Sequence, residues 1–148
     1  MNIFENYKNK IISILKEAGN EGHIVLPDNL NSINVDSTPK SIDFDISTNV
    51  SMVLAKLNSK SPEELSKVII GLIKKNDKVI YLIEFAKPGF INIKFTKKLW
   101  SEFSQSVIEH EISYGSSNLK GRRILVEYVS ANPTGPLHVG HCRGAILG

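Results

Sequence analysis

Two strand-like runs, 79–86 and 90–95, joined by Lys87-Pro88-Gly89, constrain this chain more than any other stretch. Proline presets one turn dihedral and glycine accepts conformations closed to other residues, so this step between two β-rich runs marks a hairpin or tight turn. An isolated hairpin is marginal in water and needs more strands or helices against its apolar face. The sequence on both sides offers them. Ile3, Phe4, Tyr7, Ile11, Ile14, Leu15 and Ala18 recur at helical spacing and stop at Gly19, the expected C-terminal cap. Residues 19–41, rich in Asn, Asp, Ser and Pro, read as loop with at most a short strand at 23–26.

Ile42, Phe44 and Ile46 alternate with Asp43, Asp45 and Ser47, the pattern of a half-buried strand. Val50, Val53, Leu54 and Leu57 predict a helix ending near Asn58. Ser61-Pro62-Glu63-Glu64 opens another: serine as cap, proline in the first turn, acids at the positive end of the dipole. That helix turns Leu65, Val68, Ile69, Leu72 and Ile73 inward and ends at Lys74-Lys75-Asn76. Thr96 caps a further helix, with Leu99, Trp100, Phe103, Val107 and Ile108 on one face, ending before Gly115. Residues 116–121 read as a linker. The first 120 residues are therefore expected to be α+β, about four helices on a small, mainly antiparallel sheet, with 121–148 starting something new.

A chain of 148 residues with 41% hydrophobic and 22% charged residues is a globular protein rather than a disordered one. Its net charge of +3 is too small to argue for a polyanionic partner. One cysteine, Cys142, excludes an internal disulfide framework and fits a reducing compartment. The first residues lack the pattern of a secretory signal, and no apolar run approaches a membrane span. A cytoplasmic protein without a membrane partner is expected.

The chemistry concentrates near the end of the chain. An apolar run, 124–129, reads as a buried strand, followed by a Pro/Gly-punctuated loop, His138-Val139-Gly140-His141 and a segment able to open a helix. Strand, turn and helix N-terminus suit an anion, because free backbone N–H groups and the helix dipole both favour one. Taken singly, the residues have plainer readings. The His138/His141 pair lacks Cys or His partners at zinc-ligand spacing, so no metal site is expected. Cys142 reads better as a small packing residue than as a nucleophile. Glu127 in an apolar strand needs a partner unless the strand end reaches solvent.

Taken together, the run from Glu127 through Ser130-Ala131-Asn132-Pro133 to His138-Val139-Gly140-His141 and Arg143-Gly144 resembles the signature of class I aminoacyl-tRNA synthetases, and the arginyl-tRNA synthetase family in particular. Upstream, Asp45-Ile46-Ser47-Thr48-Asn49 with Leu54-Ala55-Lys56 is similar to a segment of that family's N-terminal additional domain. Ala86-Lys87-Pro88-Gly89-Phe90-Ile91-Asn92 is similar to its Gly-Pro-Gly-Phe-Ile-Asn segment, with Lys87 where the family usually has glycine.

The resemblance implies an additional domain at 1–120 and, at 121–148, the first strand and helix start of a Rossmann-like α/β catalytic domain. It implies ATP-dependent activation of arginine and transfer to tRNA(Arg), with ATP as substrate accompanied by Mg2+, in a cytoplasmic and monomeric parent enzyme. His138 and His141 would hold the ATP phosphates and stabilise charge during displacement, and Gly140 would admit the nucleotide close to the backbone. Ser130 and Asn132 would orient the α-ammonium and carboxylate of arginine, and Glu127 would pair with its guanidinium. Phe90 and Asn92 would read an unpaired D-loop base by stacking and amide hydrogen bonding. Lys87 adds, on our reading of the residues, a phosphate contact. The plainer alternatives are a core position for Phe90 and a solvent-facing strand position or turn cap for Asn92.

Several parts of such an enzyme are not in these residues, so the chain is expected to be an N-terminal fragment inactive alone. The competing readings are a stand-alone RNA-binding module, which has no need of the Glu127/Ser130/Asn132/His138/His141 set, and a nucleotidyltransferase of the same superfold, which has no need of the upstream segments.

Overall fold

A computed structural model describes residues 2–116, 123–132 and 134–148 of the protein. The chain divides into two compact units, one running to Gly115 and the other from Ser116. Apart from Ser116, the linker expected at 116–121 lies outside the described residues.

The first unit runs α1 (Ile3–Asn20), β1 (Val35–Ser37), β2 (Ile46–Thr48), α2 (Val50–Ala55), α3 (Pro62–Asn76), β3 (Ile80–Ala86), β4 (Phe90–Phe95) and α4 (Lys97–His110), closed by a 3-10 turn at Glu111–Ser113. The strands form one antiparallel sheet in the order β1-β2-β4-β3. Helices on a small antiparallel sheet are thus what the chain builds.

Side chains alternate faces along a strand, so register decides which residues become core. Ile46, Ile93 and Ile83 stand in one row across three strands, and all three are buried. They meet Ile11 and Leu15 of α1, Leu54 of α2 and Leu65, Ile69 and Ile73 of α3 in a single apolar cluster. Each such side chain contributes on the order of 1.5–3 kcal/mol by leaving water. The next row, Ser47, Asn92 and Glu84, lies on the opposite face.

Local signals set most of the helix starts. Ser61 caps α3 and accepts from the Glu64 N–H (3.2 Å), while the Glu64 carboxylate accepts from the Ser61 N–H (2.9 Å), a reciprocal box that satisfies two exposed donors. Those hydrogen bonds from Ser61 hold the Glu64 carboxyl below its ordinary range. Thr96 occupies the N-cap of α4, although its side chain makes no capping bond. Phe95, Trp100, Phe103 and Tyr114 form an edge-to-face chain with ring centroids 6.1 to 6.4 Å apart that seats α4.

The structure departs from the sequence reading at several points. Helix α1 runs past Gly19 because Glu21 N–H still reaches the Glu17 carbonyl (3.1 Å), and Gly22, at φ +75°, takes the left-handed position instead. No strand forms at 23–26: Val25 exchanges both backbone groups with the Asn58 side-chain amide (2.8 and 2.9 Å). The strand expected from Ile42 begins only at Ile46, because Ile42 N–H donates to the Pro39 carbonyl (2.9 Å) and Phe44 N–H to the Ile42 carbonyl (2.9 Å), turn bonds in place of a ladder. Strand β1 lies inside the supposed loop. Ile108, expected on the packed face of α4, is 67% exposed.

In the second unit α5 (Val139–Leu147) forms, but residues 123–132 adopt no strand. Ile124, Leu125 and Val126 are exposed where a buried strand was expected. A β-strand exists through hydrogen bonds to a neighbour, and among the described residues none pairs with this run.

Candidate functional site

The sheet face turned away from the core carries the first site. A cavity of about 430 Å3 opens there between the β3–β4 hairpin, the start of α2 and the segment from β1 to β2. Phe90, Asn92 and Lys87 all line it, together with Asp36, Ser47 and Met52.

Phe90 is 37% exposed, so its ring is on offer rather than part of the core. Asn92, two residues along β4, is only 7% exposed and sits at the floor between Ser47 and Glu84. Among the described residues its side-chain amide has no hydrogen-bond partner, which leaves donors and an acceptor for a ligand. The hairpin that presents Phe90 is pinned from below. Ser51, fully buried in α2, donates its hydroxyl to the Gly89 carbonyl (2.6 Å). Gly89 is buried so close to Met52 and Pro62 that a Cβ there would collide. The far wall is held by Asn49, whose Oδ1 accepts from Asn34 N–H (2.8 Å) and whose Nδ2 donates to the Ser32 carbonyl (3.0 Å).

The second site is the N-terminus of α5. His138 is its N-cap: Nδ1 accepts from Gly140 N–H (3.1 Å), and His141 Nδ1 accepts from His138 N–H (3.2 Å). The rings lie 4.0 Å apart. Because each Nδ1 accepts, each neutral ring carries its proton on Nε2, leaving two N–H donors at the positive end of a helix. Ser130, Asn132, His138 and His141 line one cavity of about 420 Å3 with the intervening loop. Gly140 does not line it but lies against the His138 ring, 2.9 Å from where its own Cβ would be. Glu127 is exposed and also outside that lining. Cys142 is exposed rather than packed. Among the described residues no three His, Cys, Asp or Glu side chains gather as metal ligands.

Asp36, Ser47 and Asn49 were not singled out as site residues by the sequence, although Ser47 sits in the right alternation on its strand. A half-exposed aromatic beside an asparagine amide with no partner among the described residues gives this α+β unit a stacking face and hydrogen-bonding groups on one side of its sheet. The chain belongs to the family described as the arginyl tRNA synthetase N terminal domain, which matches residues 5–95. An arginine–tRNA ligase of Pelagibacter ubique (strain HTCC1062) is 53% identical over 100% of this chain and 26% of its own length. One of Bartonella henselae (strain Houston 1) is 47% identical over 100% of this chain and 25% of its own. The chain thus spans about a quarter of the length of the curated relatives it matches. A solved Thermus thermophilus arginyl-tRNA synthetase shares the fold, with a TM-score of 0.53 and 22% identity over 99% of this chain and 22% of that one. Among the described residues no helix is long and apolar enough to cross a membrane.

Proposed function

We propose that these residues serve an arginine–tRNA ligase: the first unit docks tRNA(Arg), and the second supplies part of a Rossmann-like site for ATP and arginine. The observation that carries the reading is the shared cavity of Phe90, Asn92 and Lys87 on the family-matched domain. An unpaired D-loop base stacks on Phe90, its edge meets the Asn92 amide, and Lys87 at the rim takes a phosphate.

In the second unit the α-carboxylate of arginine attacks the α-phosphorus of ATP, and pyrophosphate leaves. The Nε2–H groups of His138 and His141, at the positive end of α5, face the phosphate oxygens on which charge builds. Gly140 keeps the backbone accessible to the nucleotide. Ser130 and Asn132 orient the amino acid, and Glu127 pairs with its guanidinium. The whole reaction is proposed for a protein of the relatives' length, located in the cytoplasm, with these residues as one contributor.

Binding of tRNA(Arg) to this chain tests the docking role. Phe90→Ala is expected to weaken it by about 1–3 kcal/mol, the range for one stacked base. Unchanged affinity in a folded variant refutes the stacking.

A further inference from the structure

We propose that Gly144 is a positioning residue of the second site: it lets the Tyr128 carbonyl rest on α5, and so sets the spacing between the residues that hold arginine and those that hold ATP. The inference rests on the ligase reading of the second unit and goes beyond it by naming what fixes that spacing.

Two arms build this site. Ser130 and Asn132 belong to the run at 123–132, His138 and His141 belong to the N-terminus of α5, and all four line one cavity. Among the described residues no hydrogen bond or ion pair joins 123–132 to α5. How closely the two backbones approach therefore decides how far apart the arms stand.

They approach at Gly144. It follows His141 by about one helical turn, and Tyr128, the residue it meets, precedes Ser130 by two positions. A Cβ on Gly144 would stand 2.7 Å from the Tyr128 carbonyl oxygen, inside the 3.0 Å below which real side chains essentially never come. Gly148, one turn further on, meets the same residue, and a Cβ there would collide with the Tyr128 side chain. At Gly144 no rotamer change can make room, because the obstacle is backbone. A side chain at 144 would push the Tyr128 carbonyl off α5, and the start of the arginine-holding arm with it.

Such a shift matters because the chemistry is an in-line displacement. The arginine carboxylate must meet the α-phosphorus at about 3–3.5 Å, and a misplacement of about 1 Å can cost about a hundredfold in rate. Each arm keeps its own contacts with its own substrate, so binding is spared while the chemical step is not. A purely helical role predicts no loss at all, since alanine favours helix more than glycine does.

The test is arginine-dependent pyrophosphate exchange in the presence of tRNA(Arg), by a protein of the relatives' length, with rates taken per ATP-binding site. Unaltered protein is compared with Gly144→Ala and with Gly71→Ala, whose Cβ in α3 would have nothing within 4 Å. For Gly144→Ala the expected result is a kcat about tenfold to a hundredfold lower, with KM for arginine and for ATP within about twofold. Its melting temperature should stay the same or rise, and Gly71→Ala should keep full kcat. Full kcat in Gly144→Ala, or a loss confined to KM, overturns the role. A loss that comes with missing ATP-binding sites and a lowered melting temperature also overturns it, since Gly144 would then be structural alone. No arginine-dependent exchange by the unaltered protein removes the ligase reading itself, a failure distinct from that of Gly144.

Discussion

The Tyr7 hydroxyl donates to the buried Asp77 carboxylate, tying α1 to the end of α3 across 70 positions of sequence. Asp77 also accepts from Lys10 Nζ (2.8 Å) and, through its other oxygen, from Val79 N–H (3.1 Å), so one carboxylate joins two helices to the start of β3. Its side chain is 2% exposed, and a carboxylate that deep is tolerated because both oxygens accept from donors, one of them a lysine ammonium. Tyr7→Phe removes one donor and leaves the others. A loss of about 1–3 kcal/mol in urea unfolding is expected; a neutral result would show that Lys10 and Val79 suffice.

The same pair makes the fold sensitive to alkali. Burial, then the hydrogen bond to Asp77 and its negative charge, pushes the Tyr7 hydroxyl far above its ordinary value. Below about pH 10 the hydroxyl is neutral in both folded and unfolded chains, so its contribution is complete. Above that the unfolded chain releases the proton first, and stability falls with rising pH. Unfolding midpoints at about pH 8 and about pH 11 should therefore diverge more for the unaltered chain than for Tyr7→Phe, which lacks the group. Equal slopes would remove Tyr7 as the cause.

The α3 cap responds at the acid end. Ser61→Ala is expected to cost about 0.5–2 kcal/mol, as loss of a capping side chain does. With Ser61 in place the Glu64 carboxyl titrates below its usual range, so the stability it adds is present above the unfolded value and disappears as pH falls through the folded one. Thermal melts between neutral and acid pH check both. An acid-side slope identical in Glu64→Gln, which lacks the titrating group, would contradict the link.

Ser51→Ala probes how the hairpin is held. The Gly89 carbonyl loses a buried donor, at an expected cost of about 1–3 kcal/mol. Because that hydrogen bond fixes the turn beneath Phe90, tRNA(Arg) binding should weaken even where the variant is fully folded. Lost stability with unchanged binding would make Ser51 structural alone.

Where the governing interaction is local, the sequence was a good guide. The Ser61–Glu64 box, the Lys87-Pro88-Gly89 turn and the helical spacing from Ile3 to Ala18 each depend on groups within a few residues of one another. Failures came where a distant partner decides. Nothing in Val35-Asp36-Ser37 marks a strand, and only pairing with β2 makes it one. The run at 124–129 carries a strong strand pattern and forms none, because pattern cannot supply a partner.

The site divides the same way. The family resemblance singled out Phe90, Asn92, His138 and His141, and the relatives bear out the family that it indicated. Only the tertiary structure put Asp36 and Ser47 beside Asn92 and set Ser51 beneath Gly89. Periodicity records which face a residue takes within its own element. Which elements become neighbours follows from the joint burial of apolar faces far apart in the chain, and no single segment encodes that.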